Sequence, residues 1–262
     1  MNRIELIDRL NSFRDRIAVT DYRGSYTYED LLASSARAAS NLLAGDEDLR
    51  EKRVAFLIPS GFDYVAVMLG VWRAGGIAVP LCVSHPDPEL EYVLGDSGAG
   101  VLIASPEFED RLRRLAGRIN ARFLGTAEAL SPRDLSLPQV GEERRAMIIY
   151  TSGTTSRPKG VVTTHGNLKA QIGSLAEAWE WSRDDFILNV LPLHHLHGIL
   201  NALLCALSAG ARCETMRGFD SRRVWEKFME NDYTLFMAVP TIYTRLIRSW
   251  DEAGDEIGRA HV

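Results

Sequence analysis

The sequence has little of several features that would assign it to a specialised class. Its 262 residues include only three cysteines (Cys82, Cys205 and Cys213), which are too few and odd in number for a disulfide framework. We expect buried free thiols in a reducing compartment. No apolar run reaches about 18 residues, so no membrane-spanning helix is predicted. The first residues lack the apolar core of a signal peptide, and the expected location is the cytoplasm.

Positive charge is not in excess either. The chain has 30 Lys and Arg against 35 Asp and Glu, a formal net charge of −5. Without a basic excess, binding to a phosphate backbone is not favoured, and no nucleic-acid partner is expected. Hydrophobic residues make up 46% and charged residues 25% of the chain, which excludes disordered, collagen-like and coiled-coil classes. A chain of this length can bury a full core.

Short apolar segments alternate with helical patterns along the chain. The main predicted strands cover residues 53–58, 77–81, 101–104, 146–150, 161–164, 186–190 and 212–216. A helix is predicted to begin at a capping box formed by Thr27 and Asp30. This alternation predicts an α/β fold with mixed, mostly parallel sheets flanked by helices.

The periodicity fails once, between residues 128 and 145, where Pro132, Pro138 and Gly141 fall among charged residues. Proline and glycine at such spacing indicate irregular chain. We therefore predict a first α/β sub-domain at 1–127, a connector at 128–145 and a second α/β sub-domain at 146–255.

The most informative segment follows the predicted strand 146–150. Short hydroxyl side chains surround Gly153, and Lys159 follows a few residues later. Backbone N–H groups in such a loop can converge on an anion, the hydroxyls add donors, and the lysine adds a compact cation. The alternative is an ordinary polar turn between two strands. The candidate nucleotide-binding residues are Thr151, Ser152, Gly153, Thr154, Thr155, Ser156, Arg157, Pro158 and Lys159.

This loop differs from the P-loop of kinases and GTPases. That motif has Gly before the lysine and Ser or Thr after it, at the start of a helix. Here Pro158 precedes Lys159 and Gly160 follows, and the β-branched residues 161–164 predict a strand. A strand–loop–strand phosphate holder is therefore expected.

The segment YTSGTTSRPKGVV, residues 150–162, resembles the phosphate-loop signature of the AMP-forming acyl-CoA synthetases, in the adenylate-forming superfamily. Four further blocks resemble that family in the same order: YTYEDL (26–31), GGIAVPL (75–81), LPLHHLHG (191–198) and FMAVPTIY (236–243). The resemblance covers about residues 15–252 and implies the N-terminal domain of that fold. Residues 191–207, 224–228 and 236–247 are most similar to the malonyl-CoA synthetase branch.

The resemblance implies a two-step reaction. A carboxylate attacks the α-phosphorus of ATP, and the thiol of coenzyme A then displaces AMP from the acyl-adenylate. The implied partners are ATP, Mg²⁺, coenzyme A and a short carboxylic acid, with malonate favoured. By resemblance, residues 151–155 and Lys159 hold the β- and γ-phosphates, and His195 lies beside the acyl carboxylate; Lys159 and His195 are the implied catalytic residues. Ser156 stands where the family usually has Gly, which could weaken loop ordering on ATP.

The neighbouring histidines allow other interpretations. His194, His195 and His197 could suggest a metal site, but adjacent side chains point in different directions and no Cys, Asp or Glu is nearby in sequence. Ordinary packing is a further alternative, and no metal ligand is assigned. The second carboxylate of malonate would need a cationic partner. Arg217 and Arg245 are candidates between which spacing does not decide.

The resemblance also implies that the chain is an N-terminal part. Residues for magnesium, for the ribose and for a C-terminal lid are expected beyond residue 252. Residues 256–262, EIGRAHV, do not resemble the family and are expected to be a non-native tail. Two alternatives remain open: a non-catalytic nucleotide- or acyl-binding fragment, and an adenylating domain that loads a carrier protein.

Overall fold

The computed structural model describes residues 4–134, 136–151 and 157–253. Its strands are β1 (Ile17–Asp21), β2 (Gly24–Thr27), β3 (Arg53–Leu57), β4 (Ile77–Pro80), β5 (Val101–Ala104), β6 (Arg122–Gly125), β7 (Arg145–Thr151), β8 (Lys159–Thr164), β9 (Phe186–Asn189), β10 (Arg212–Thr215) and β11 (Leu235–Phe236). Its α-helices are α1 (Glu5–Leu10), α2 (Tyr28–Leu43), α3 (Phe62–Arg73), α4 (Asp87–Ser97), α5 (Glu109–Arg118), α6 (Thr126–Ala129), α7 (His165–Ala178), α8 (Cys205–Ala209), α9 (Ser221–Glu230) and α10 (Pro240–Ala253). The π-helical turns His197–Leu204 lead into α8.

The larger sheet has six strands in the order β6-β5-β3-β4-β7-β8. Its strands run parallel except for β8, which returns antiparallel to β7 as a hairpin. The inner strands β3, β4 and β5 are buried and nearly continuous in Val, Ile, Leu and Ala, as expected for parallel strands covered on both faces. The predicted mixed, mostly parallel α/β class is confirmed.

The smaller sheet has five strands in the order β11-β9-β10-β1-β2. The strands β11, β9, β10 and β1 are parallel, and β2 pairs antiparallel with β1. Val19 of β1 lies opposite Cys213 of β10, and both side chains are fully buried. Residues nearly 200 positions apart in the sequence therefore form one layer of the core.

The two sheets do not follow the predicted division at 128–145. Strands β1 and β2 come from the first 27 residues but join the sheet of the second half, while β7 and β8 complete the sheet of the first half. The segment between α6 and β7 is irregular where the structure describes it. A pattern of apolar residues predicts a strand but not the neighbouring strand with which it pairs. Strand pairing is decided by side-chain packing across the whole core. The expected tail, 256–262, lies outside the described residues.

Helix starts follow local side-chain chemistry. Thr27 and Asp30 form the predicted capping box of α2, with side chain and backbone bonded in both directions. A similar box begins α7, where Thr164 is the N-cap and Asn167 reaches back to it. Asn167 therefore completes the box and is not itself the N-cap. At α3, by contrast, Gly61 is the N-cap and no side chain caps the helix.

The three cysteines lie in the interior of the protein. Cys82, Cys205 and Cys213 are buried free thiols, as predicted. Burial raises the pKa of Cys205 and of Cys213 to about 12. Within the described ranges, no helix has both the length and the apolar character that crossing a membrane requires.

Candidate active site

The carboxyl ends of strands from both sheets meet around one large cavity. Its volume is about 860 Å³. It is lined by residues that follow β3, β4, β9 and β10, together with the start of α10: 58–60, 81–84, 190–195, 216–219, Val239, Thr241, Ile242 and Arg245, with Tyr64, His197 and Gly198. Parallel strands present their carboxyl ends at one edge, where open α/β sheets usually bind ligands. The topology therefore makes this cavity the candidate site.

The predicted phosphate loop begins at the carboxyl end of β7, the neighbour of β4. Thr151, the last residue of β7, lies directly opposite Lys159, the first residue of β8. Residues 152–156 lie outside the described residues, so Ser152, Gly153, Thr154, Thr155 and Ser156 stay predictions. We call residues 145–164 the phosphate hairpin. The antiparallel pairing of β7 with β8 confirms the strands expected on either side of this segment, and Lys159 begins a strand and not a helix.

Helix α4 supports both sides of the phosphate hairpin. The Tyr92 hydroxyl donates a hydrogen bond to the Pro158 carbonyl oxygen at 2.9 Å, and the Arg157 guanidinium lies 5.6 Å from the Tyr92 ring. On the other strand, the Tyr150 hydroxyl donates to Asp96 at 2.7 Å, and burial raises the pKa of Tyr150. Sequence reasoning missed Tyr92 and Asp96, because nothing in the loop motif points to a helix about 60 residues earlier.

The hairpin thus presents two cations at the end where β7 leads into β8. Arg157 and Lys159 are exposed. They lie on either side of Pro158, whose carbonyl oxygen accepts the hydrogen bond from Tyr92 of α4. Exposed cations can attract an anionic ligand such as a polyphosphate. Neither side chain is among the described residues that line the 860 Å³ cavity. The hairpin is connected to the cavity through the sheet, because β7 pairs with β4 and the residues after β4 line the cavity.

Residues 190–198, which we call the histidine turn, follow β9. The Asn189 side chain accepts a hydrogen bond from the Leu191 amide and donates one to the Gly198 carbonyl, which closes the turn. The buried Tyr64 hydroxyl of α3 donates to the Leu193 carbonyl. A Cβ on Gly198 would lie 2.6 Å from the Pro192 carbonyl oxygen, so only glycine permits this close approach. The turn is therefore a rigid part of the cavity wall.

The histidine turn brings imidazoles together at the cavity. The rings of His194 and His195 are 4.1 Å apart, and His85, which follows β4, lies 6.0 Å from His194. Burial lowers the pKa of His194, and burial with the neighbouring imidazoles lowers the pKa of His195. Both rings are therefore neutral at pH 7. The predicted site residue His195 lies in the cavity wall, where a neutral imidazole can donate or accept a hydrogen bond.

Two arginines give the cavity positive charge, and they differ in their partners. Arg217 forms an ion pair with Glu107 at 3.3 Å and lies 4.2 Å from the Tyr22 ring. Arg245 is exposed, lies 4.6 Å from the Phe219 ring, and forms no ion pair with any described residue. A cation without a carboxylate partner is available to an anionic ligand, so Arg245 is the stronger candidate for ligand charge.

The sequence matches the family described as AMP-binding enzyme over residues 7–259. This chain belongs to that family. The match begins earlier and ends later than the expected 15–252. It is consistent with a sheet edge that carries a phosphate loop beside a ligand cavity.

Relatives of the chain include proteins named malonate–CoA ligase. The chain is 43% identical over 257 residues to the mitochondrial malonate–CoA ligase ACSF3 of Homo sapiens, covering 93% of this chain and 45% of that protein. It is 34% identical to the malonate–CoA ligase of Arabidopsis thaliana, covering 93% of this chain and 46% of that protein. The chain therefore spans about half the length of the curated relatives it matches.

The fold is shared with solved structures. The crystal structure of ATP-bound MatB from Rhodopseudomonas palustris superposes with a TM-score of 0.85 at 27% identity, covering 98% of this chain and 53% of that one. The AMP complex of an O-succinylbenzoate coenzyme A synthetase from Bacillus subtilis gives a TM-score of 0.83 at 25% identity, with 93% of this chain and 64% of that one covered. The described fold is thus that of the N-terminal part of acyl-CoA synthetases.

Proposed function

We propose that the protein containing this chain is an ATP-dependent carboxylate–CoA ligase that acts on malonate or another short carboxylic acid. The observation that carries this proposal is the shared sheet edge, where the phosphate hairpin lies next to a cavity lined by His195 and Arg245. The names of the malonate–CoA ligase relatives and the ATP-bound MatB structure support the same reaction. The cytosolic location expected from the sequence stays part of the proposal, although the human relative is mitochondrial.

In the first step, a carboxylate oxygen attacks the α-phosphorus of ATP. A P–O bond forms, the bond to pyrophosphate breaks, and pyrophosphate leaves with the electron pair. Lys159 and the hydroxyl residues predicted around Gly153 offset the negative charge on the departing phosphates. Such electrostatic stabilisation is the main contribution that a protein makes to phosphoryl-type transfer. In the second step, the coenzyme A sulfur attacks the acyl carbon and AMP leaves.

The cavity supplies the groups that recognise the acid. The neutral His195 imidazole can hydrogen-bond the reacting carboxylate without trapping it as a tight ion pair. Arg245 can pair with a second carboxylate, which would otherwise be costly to place in a cavity. Together they favour a short dicarboxylate such as malonate over a monocarboxylate of the same length.

The described residues do not form a complete metal cage: no group of three or more His, Cys, Asp or Glu side chains among them is arranged to hold a metal ion. A nucleotide-bound Mg²⁺ does not require such a cage, since one or two carboxylates with phosphate oxygens usually hold it. Carboxylate oxygens are the usual protein ligands of this ion. No step is assigned to the metal, and the Mg²⁺ requirement stays an expectation of the family resemblance.

The test is pyrophosphate release by the full-length ligase that carries this chain, with malonate, acetate and succinate as acids. We expect ATP-dependent release that is fastest with malonate and a malonyl-CoA product when coenzyme A is added. Product formed only on a carrier protein would favour the carrier-loading alternative. ATP binding without pyrophosphate release for any acid would favour the non-catalytic fragment.

Replacing Arg245 tests the acid assignment within the same assay. Arg245→Leu keeps an apolar contact with Phe219 but removes the charge. We expect kcat/KM for malonate to fall about tenfold relative to acetate, which corresponds to about 1.4 kcal/mol. Arg248→Leu, on the same helix but outside the cavity lining, is the matched control. An unchanged malonate-to-acetate ratio in Arg245→Leu would remove Arg245 from substrate recognition.

A further inference from the structure

One continuous segment of the chain contributes to both parts of the candidate site. Residues 81–86, which we call the cavity loop, follow β4, and residues 81–84 of this loop line the 860 Å³ cavity. The loop runs directly into α4, which begins at Asp87. The same helix supports the phosphate hairpin through Tyr92 and Asp96. Because an α-helix is a stiff element, a displacement of the cavity loop can move the residues that support the hairpin.

The cavity loop also lies against the histidine turn. The His85 ring is 6.0 Å from the His194 ring, which in turn lies 4.1 Å from the His195 ring. The loop is closed by the His85 amide, which donates to the Cys82 carbonyl oxygen at 3.2 Å. The His85 Nδ1 atom lies 3.4 Å from the Glu89 carboxylate, in the first turn of α4. The position of the loop therefore bears on His195, the imidazole proposed to bind the reacting carboxylate.

Arg111 of α5 fixes the junction between the cavity loop and α4. Its Nη2 atom donates a hydrogen bond to the His85 carbonyl oxygen, and its Nε atom donates one to the Asp87 carboxylate, each at 2.5 Å. The fixed fork of a guanidinium suits two acceptors at once. Helix α5 is itself held by the buried residues Leu112 and Leu115. Arg111 therefore ties the junction to the core, although it does not line the 860 Å³ cavity.

We propose that Arg111 is a positioning residue that couples binding of the acid to binding of ATP. It holds the cavity loop and α4 in one arrangement, in which the cavity wall fits the acid and Tyr92 supports the hairpin. Each ligand favours the arrangement that the other requires, so each tightens the binding of the other. This reciprocity is a thermodynamic requirement for two coupled sites. The inference rests on the proposed ligase function and adds a coupling between its first two substrates.

A purely structural role for Arg111 predicts a different result. The ion pair with Asp87 joins two partly exposed side chains, and such pairs contribute little to stability. If Arg111 only stabilised the fold, its loss would affect ATP binding equally in the presence and in the absence of the acid. The factor by which the acid tightens ATP binding would then not change. That factor is therefore the quantity that distinguishes the two roles.

Calorimetry on the full-length ligase that carries this chain measures this factor. The probe is the Mg²⁺ complex of α,β-methylene-ATP, whose bridging carbon prevents release of pyrophosphate, and its Kd is measured with and without saturating acid. The acid is whichever of malonate, acetate and succinate gives the fastest pyrophosphate release with ATP. In the parent protein, we expect the acid to tighten binding of the analogue at least threefold. In Arg111→Met, we expect this factor to fall by more than half.

Two pairs of variants locate the connection. Arg114→Met is the control for Arg111→Met, because Arg114 is exposed on the same helix and forms no ion pair with any described residue. Tyr92→Phe removes the bond between α4 and the hairpin and should also reduce the factor by more than half, whereas Tyr233→Phe should not. A parent factor below threefold, an equal fall in either control, or a fall of less than half in Arg111→Met or Tyr92→Phe overturns the proposal.

A second variant is used if Arg111→Met does not fold. Asp87 is partly exposed, so Asp87→Ala removes one acceptor of Arg111 without opening the core, and the factor should again fall by more than half; a smaller fall overturns the proposal. If the parent protein releases no pyrophosphate with any acid, the ligase function fails by itself. The same titrations with malonate then still decide the coupling. Tightening that is lost in Arg111→Met supports it, and tightening that is absent from the parent protein or retained in Arg111→Met overturns it.

Discussion

The phosphate hairpin and the histidine turn contribute to the site in opposite ways. In the hairpin, exposed cations come from one contiguous segment at the edge of a sheet. In the histidine turn, backbone bonds from Asn189 and Tyr64 fix a wall whose other parts come from distant strand ends. A polyphosphate needs converging exposed donors, which a short loop can supply. A small acid needs a shaped cavity, and that requires tertiary packing.

The largest predicted effect is a loss of stability at low pH, and it is caused by His165, where the hairpin meets the core. Its ring packs edge-on against Trp72, its buried Nε2 atom has no hydrogen-bond partner among the described residues, and burial lowers its pKa to about 4. Because the unfolded state binds the proton near pH 6.5, stability falls as pH drops from about 6.5 to about 4. This group accounts for about 3 kcal/mol of that loss.

Urea unfolding at pH 7.5, 6, 5 and 4 checks this prediction. His165→Phe keeps an aromatic ring against Trp72 and removes the titrating group. Its free energy of unfolding should fall less steeply below pH 6.5 than that of the parent protein. If the free energies of unfolding of the two proteins fell equally with pH, the prediction that His165 is neutral in the folded state would be wrong.

The next effect concerns the rigidity of the histidine turn. Gly198→Ala places a Cβ 2.6 Å from the Pro192 carbonyl oxygen and should destabilise the protein by about 2 kcal/mol, as measured by urea unfolding. Gly173→Ala in α7 is the matched control, because nothing lies within 4 Å of its added Cβ. That variant should be as stable as the parent or slightly more so. Equal stability of the Gly198 variant would contradict a tightly closed turn.

Substitution of Lys159 tests the role of the phosphate hairpin. Because its side chain is exposed, Lys159→Ala should leave the free energy of unfolding nearly unchanged while slowing adenylation at least tenfold, or about 1.4 kcal/mol of barrier. The control is Lys52→Ala, an exposed lysine just before β3, at the opposite end of the strands. Single-turnover pyrophosphate release measures the step directly. A normal rate in Lys159→Ala would remove the hairpin from phosphate chemistry.

The smallest effect is expected from the support that α4 gives the hairpin. Tyr92→Phe removes the hydrogen bond to the Pro158 carbonyl, worth about 1 kcal/mol, and should weaken ATP binding about fivefold by calorimetry. Tyr233→Phe removes a comparable bond to Glu214 away from the site and should not change ATP affinity. Equal ATP affinities in all three proteins would mean that the loop orders itself without α4.

Local features were predictable where the interactions that form them lie within one short segment. The capping box at Thr27 needs only Asp30 three residues later, and the strand 101–104 needs only its apolar run and the glycine before it. The strands β1, β2 and β6 were missed, because they are short and their burial depends on distant partners. Sequence spacing could not choose between Arg217 and Arg245, since only their tertiary partners distinguish them.

The sequence by itself determined the family, the α/β class and the hairpin with Lys159. Each of these depends on contiguous residues whose interactions are local. Only the tertiary structure decided that the first 27 residues complete the second sheet and that Arg217 pairs with Glu107, while Arg245 packs against Phe219. Those features depend on residues as much as 195 positions apart coming into contact, as Tyr22 and Arg217 do. Such contacts are selected by the packing of the whole core, which no single segment encodes.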